Sequence, residues 1–132
     1  MSINGVASWH PGAGFTPMCQ PWDNNKNLAA YPYVYKSGTG GGTCTTYGCG
    51  RASEFPKKNC GSTIAVYNPC TTSSVTVTIA ECGPSMSGIR CGASAPRCQL
   101  SYLRDVIIDL SPAAFSALGD IDDGYLGVII TP

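Results

Sequence analysis

Eight cysteines, two tryptophans, one histidine and eight carboxylates are the side chains of this sequence on which chemistry can rest. The cysteines are Cys19, Cys44, Cys49, Cys60, Cys70, Cys82, Cys91 and Cys98. An even set in a small, loop-rich chain predicts four disulfides and an oxidising compartment, so the protein is expected to be secreted and extracellular. Their connectivity stays open, because eight cysteines allow about 105 pairings. Zinc would need closer pairs such as C-x2-C, commonly with histidine. Here the tightest pairs, Cys44/Cys49 and Cys91/Cys98, are separated by four and six residues, and His10 lies far upstream. No metal and no cofactor are expected.

Among the carboxylates, Glu81 and Asp109 stand out because each follows a run of strand-forming residues. Asp109 can meet a ligand at the rim of a groove, or it can accept hydrogen bonds near a helix start and stabilise a turn. Glu81 can face the same groove or point to solvent. Acids are also unevenly placed. Residues 1–104 hold all eight basic residues and three acids, Asp23, Glu54 and Glu81, whereas residues 105–132 hold five Asp and no Lys or Arg. That split reads either as mutual neutralisation across one fold or as an acidic rim beside a functional groove. Trp9 and Trp22 are candidates for stacking on sugars or for packing in core and loops. His10 is the only imidazole, able to tune neighbouring charge near neutrality or simply to lie exposed.

The elements that must position these groups are short strands. Thr63-Ile64-Ala65-Val66-Tyr67 ends at the turn dipeptide Asn68-Pro69, and Val75-Thr76-Val77-Thr78-Ile79 alternates apolar and hydroxyl residues as a half-buried strand does. Val106-Ile107-Ile108 is a further strand running into Asp109-Leu110-Ser111. One helix is predicted at about 111–118, with Ser111 as N-cap, Pro112 in the first helical position and Gly119 as its stop. Asp122-Asp123-Gly124 is a turn, and Tyr125–Ile130 a closing strand. Residues 11–61 are rich in Gly, Pro, Asn, Ser and Thr and read mainly as loops, with Tyr31-Pro32-Tyr33-Val34-Tyr35 as a short edge strand or an exposed aromatic ridge. Lys57-Lys58 reads as a solvated turn, and residues 83–104 as a second irregular insert. Many short strands with one short helix predict a small closed β-barrel.

Composition narrows the class. The 132 residues suit one domain over 1–132, with Met1 read as an initiator before Ser2-Ile3-Asn4. Only 12% of residues are charged and 43% are apolar, so the chain should fold rather than remain disordered. A formal net charge of zero argues against a nucleic-acid partner, which would call for a basic face. No window approaches the roughly 20 continuous apolar residues of a membrane span. No membrane partner is expected, and the expected state is a monomer.

Four stretches in order resemble one family. They are Gly5-Val6-Ala7-Ser8-Trp9, Cys60-Gly61-Ser62-Thr63-Ile64-Ala65-Val66-Tyr67-Asn68, Val77-Thr78-Ile79-Ala80-Glu81-Cys82-Gly83-Pro84, and Asp109-Leu110-Ser111-Pro112-Ala113-Ala114-Phe115 followed by Leu118-Gly119. Together they are similar to the double-psi β-barrel domain of expansins, loosenins and rare lipoprotein A. The resemblance implies a mainly β fold: a six-stranded double-psi barrel with one short helix and long disulfide-braced loops. It implies an open groove in which Asp109 matches the acid needed for wall loosening in expansins and the general acid of related family-45 endoglucanases. It also implies a second acid at Glu81, and Ser8 or His10 as the polar residue that holds Asp109. Two acids facing one groove repel, so one of them is expected to bind its proton more tightly than a free carboxyl.

The departures weigh against cleavage. Inverting glycosidases need two carboxylates about 6.5–9.5 Å apart, and the motif carrying the family-45 base has no counterpart here. Rare lipoprotein A enzymes pair the groove Asp with a His before the second motif, where this chain has Ala52-Ser53-Glu54-Phe55-Pro56. Catalysis is therefore not expected. Three functions follow from the resemblance. The first is non-hydrolytic binding or loosening of cell-wall polysaccharide (cellulose, chitin or peptidoglycan), with Ser8, Trp9, His10, Thr16 and Trp22 as substrate-binding candidates. The second is inhibition of a secreted papain-like cysteine protease by a rigid loop from 11–24 or 37–50. The third is weak glycan cleavage.

Overall fold

In the computed structural model, which describes residues 2–12, 21–32, 34–35, 55–83 and 106–132, the chain forms eight strands and one helix. They are β1 (Ile3–Trp9), β2 (Leu28–Tyr31), β3 (Val34–Tyr35), β4 (Lys58–Asn59), β5 (Thr63–Asn68), β6 (Ser73–Cys82), β7 (Val106–Leu110), α1 (Pro112–Leu118) and β8 (Leu126–Thr131). Six of the strands close a barrel in the order β1-β7-β2-β6-β5-β8, and β3 pairs with β4 in a separate small sheet. Closure leaves the barrel itself with no free edge.

The barrel has two kinds of seam. Around β5 and β8 every pair is antiparallel, and β5 follows a clean period of two, with Ile64, Val66 and Asn68 buried and Thr63, Ala65 and Tyr67 exposed. Elsewhere β1 runs parallel to β7 and β2 parallel to β6, with β2 and β7 antiparallel between them; β2 and β7 are buried nearly throughout, whereas β1 and β6 bury only part of their length. The interior is filled by branched aliphatic residues such as Ile79, Ile107, Ile108 and Ile130, together with Tyr31 and Phe115. Each fully buried Ile or Phe contributes about 1.5–3 kcal/mol.

The helix is built as its sequence predicts. Ser111 is the N-cap, Pro112 opens the first turn, and the Ser111 hydroxyl accepts from the Ala114 N–H at 3.4 Å. The same hydroxyl accepts from the Leu28 N–H at 3.0 Å and donates to the Lys26 carbonyl at 2.5 Å, so the cap also ties the helix start to β2. The turn at 122–124 forms as a short 3-10 segment over Ile121–Asp123, closed by Gly124 at φ 74°.

Three expectations are corrected. Tyr31 belongs to no edge strand: it ends β2, a strand enclosed between β7 and β6, and it is fully buried with its hydroxyl donating to the Pro56 carbonyl at 2.8 Å. Pro32 is tolerated because it falls after the last residue of that strand. Lys58 lies in β4 rather than in a turn. Gly119 ends the helix with φ at 179°, an extended conformation open to any residue. Its requirement is space, since a Cβ there would meet the Leu126 methyls at 3.0 and 3.1 Å. The insert at 83–104 lies outside the described residues apart from Gly83. Cys60, Cys70 and Cys82 are the described cysteines, and none is a free thiol. Cys19, Cys44, Cys49, Cys91 and Cys98, and with them the bracing of the long loops, lie outside the described residues.

Candidate functional site

Both parallel pairs of the barrel carry a bulge. Val6 faces Val106 but Ala7 faces Ile108, so Ile107 is an extra residue in β7; likewise Ala29 faces Ile79 but Ala30 faces Glu81, so Ala80 is extra in β6. Bulges redirect the side chains that follow them. Gly5 makes the first one possible: a Cβ there would sit 2.7–2.9 Å from the Ile107 side chain.

Beyond the bulges a single row crosses four strands. Ser8 of β1 is in register with Asp109 of β7, Asp109 with Ala30 of β2, and Ala30 with Glu81 of β6. In-register neighbours project to the same face of a sheet. With strands about 4.8 Å apart, the backbones of Asp109 and Glu81 are about 10 Å apart, and only a methyl group stands between their side chains.

The Ser8 hydroxyl donates to Asp109 Oδ1. Asp109 is half-buried, while Glu81 is 4% exposed and its Oε2 is buried with no hydrogen-bond partner among the described residues. Burial pushes the Glu81 carboxyl up to about 7, and the negative charge of Asp109 adds to the shift. The tightly held proton expected of this pair therefore falls on Glu81, and desolvation outweighs repulsion as its cause.

His10 closes one end of the row. Its backbone N–H donates to the Leu110 carbonyl at 3.2 Å, which fixes it beside the end of β7. Its Nδ1 accepts from the Gly12 N–H at 2.9 Å, so the neutral ring carries its proton on Nε2. Burial lowers the His10 pKa, with Asp109 pulling in the opposite direction. The ring stacks on Trp22 at 4.3 Å with an interplanar angle of 15°, and the Trp22 indole N–H donates to the His10 carbonyl at 3.2 Å. Gly12 is required here: its φ is 74°, and a Cβ would collide with the Trp22 ring.

The structure thus brings together Ser8, His10, Trp22, Asp109 and Glu81. It does not bring Trp9, whose indole N–H donates to the Ile121 carbonyl at 3.1 Å and whose ring packs against the core. Thr16 lies outside the described residues. The capping role offered for Asp109 is filled by Ser111. Ala30 had no signal in the sequence, because an alanine becomes a spacer only when the sheet order is known. Among the described residues no three His, Cys, Asp or Glu side chains are gathered as metal ligands, and no helix is long and apolar enough to cross a membrane.

This fold has known counterparts. Residues 27–130 match a double-psi β-barrel family model described as lytic transglycolase. The chain belongs to the double-psi β-barrel family. No curated protein matches it by sequence. Among solved structures, this double-psi barrel is similar to a Streptomyces papain inhibitor at 18% identity and TM-score 0.57, covering 99% of this chain and 93% of that one. It is also similar to the apo expansin of Clavibacter michiganensis, at 20% identity and TM-score 0.51, covering 99% of this chain and 50% of the other. An Asp→Asn variant of that expansin in complex with cellohexaose matches at 18% identity and TM-score 0.52, with the same coverage. At these identities the likeness is one of fold, and the double-psi barrel spans half the length of the expansin structures.

Proposed function

We propose that this protein is a secreted, non-hydrolytic, expansin-like barrel that binds or loosens cell-wall polysaccharide through the groove formed by Ser8, Asp109, Glu81, His10 and Trp22. The observation that carries the reading is the row in which Ser8 holds Asp109 and Ala30 spaces it from Glu81. Two carboxyl groups in one register row, beside a half-buried indole, would supply the hydrogen bonds and the flat ring that sugars use. A relative of the same fold is solved with cellohexaose, which supports a glucan ligand.

The test is a pull-down on insoluble cellulose, chitin and peptidoglycan. Asp109→Asn should weaken retention at least about tenfold, a loss of about 1.4 kcal/mol or more, while leaving the melting temperature nearly unchanged. Unfolding of Asp109→Asn, or unchanged retention and loosening, would make Asp109 structural. No reducing ends should be released, because the motif carrying the family-45 base and the His that rare lipoprotein A enzymes pair with the groove Asp have no counterpart in this sequence. Turnover abolished by Asp109→Asn would overturn that expectation.

A second reading rests on a different observation. The papain inhibitor matches over 93% of its own length as a single barrel. In that reading a loop from 11–24 or 37–50, most of which lies outside the described residues, enters a protease cleft, and a papain titration separates the two functions.

A further inference from the structure

We infer, resting on the polysaccharide reading, that Glu81 is the proton-bearing member of the pair, so that the row offers a ligand one carboxyl donor and one charged acceptor and takes neutral sugar hydroxyls while turning away uronates. The two acids sit in one register row but in unlike surroundings. Asp109 is half-buried and accepts from Ser8, whereas Glu81 is 4% exposed with an unpartnered Oε2. An ionised carboxylate buried without a donor is costly, and a second negative charge across one methyl group adds to the cost. Protonation removes both penalties and turns the unpartnered end of Glu81 into a donor in need of an acceptor. The upward displacement of its titration to about 7 agrees with this geometry.

The other elements packed around Glu81 do not supply a compensating cation among the described residues. β2, β3, β5 and α1 carry no charged residue. Lys58 of β4 lies in the small sheet with β3, and burial disfavours the charged form of His10, with Asp109 pulling the other way.

A sugar hydroxyl is both donor and acceptor, so it can receive the Glu81 proton in a hydrogen bond while donating to Asp109. A carboxylate on the ligand can accept from Glu81 but only repels Asp109. When Glu81 ionises, the row becomes two acceptors and two negative charges, and it loses its donor.

Two measurements test this on the intact chain. In a carboxyl-detected NMR titration, Glu81 should show a midpoint near neutrality that falls in Asp109→Asn; a midpoint near 4, about where free glutamate titrates, overturns the assignment. In calorimetric titrations with cellohexaose and with hexagalacturonate, the wild type should bind cellohexaose at least about tenfold more weakly at about pH 8.5 than at about pH 5.5, and should not bind hexagalacturonate. Glu81→Gln, which keeps a donor at every pH, should bring the ratio of the two cellohexaose affinities to about one. A pH-independent wild type, or equal binding of the uronate, overturns the ligand class. If Glu81 titrates near neutrality and neither oligosaccharide binds, the proton assignment stands while the ligand class and the polysaccharide reading both fall.

Discussion

Two groups of acids in this chain are alike in residue type and opposite in use. Asp120, Asp122 and Asp123 stand exposed after the helix, and Asp120 caps the short 3-10 segment by accepting from the Asp122 N–H at 2.9 Å. Asp109 and Glu81 lie on the bulged parallel strands, one held by Ser8 and the other buried. The first group meets water and its own backbone, so its charges cost little. The second group is desolvated and mutually repulsive, so one member takes up a proton. An acidic tail in a sequence is thus not in itself a groove: burial and register make the difference.

The contrast can be broken most severely at its foundation. Gly5→Val should clash with Ile107, cost about 1–3 kcal/mol as overpacking does, and shift Asp109 out of register with Ser8. Thermal melts and the cellulose pull-down should then fail together. A variant that melts normally and binds normally would show that the bulge does not position the row.

The next effect is a pH dependence of stability. Because Glu81 binds its proton more tightly folded than unfolded, its contribution is complete below about pH 4.5 and is lost as pH rises through about 7. Its size is about 3 kcal/mol at most. His10 works in the opposite sense: with a folded pKa below 6.5, it contributes stability above that value and loses it as pH falls. Melting temperatures of wild type and Glu81→Gln across this range should diverge, with the wild type losing stability toward alkaline pH relative to the variant. Parallel curves would mean that Glu81 is solvated.

The smallest effect lies in the exposed group. Asp120→Ala removes a cap and should cost about 1 kcal/mol or less, with glycan retention unchanged. Lost retention would move the functional acids to the wrong end of this comparison.

Much of the fold was legible locally. The strand from Thr63 to the Asn68-Pro69 turn, the alternating strand over 75–79 and the Ser111-Pro112 helix start each depend on residues within one element, and they formed as read. The motif resemblance also pointed to Ser8, Asp109 and Glu81 as a group. The strand β2 was missed because Leu28–Tyr31 is four residues long within a loop-like composition, and its place between β7 and β6 follows from partners remote in sequence.

What the sequence determined by itself was therefore the set of short-range preferences: apolar alternation, cap chemistry, the glycines needed where backbone or ring comes close, and the supply of acids. What only the tertiary structure decided was which acid is buried. Ser8 and Asp109 are 101 positions apart, and Ala30 comes between Asp109 and Glu81 only because the barrel closes in the order β7-β2-β6. Desolvation depends on everything packed around a group, and no local pattern records it. That is why Glu81 could be read as solvent-facing along the chain and is nonetheless the group that holds its proton near neutral pH.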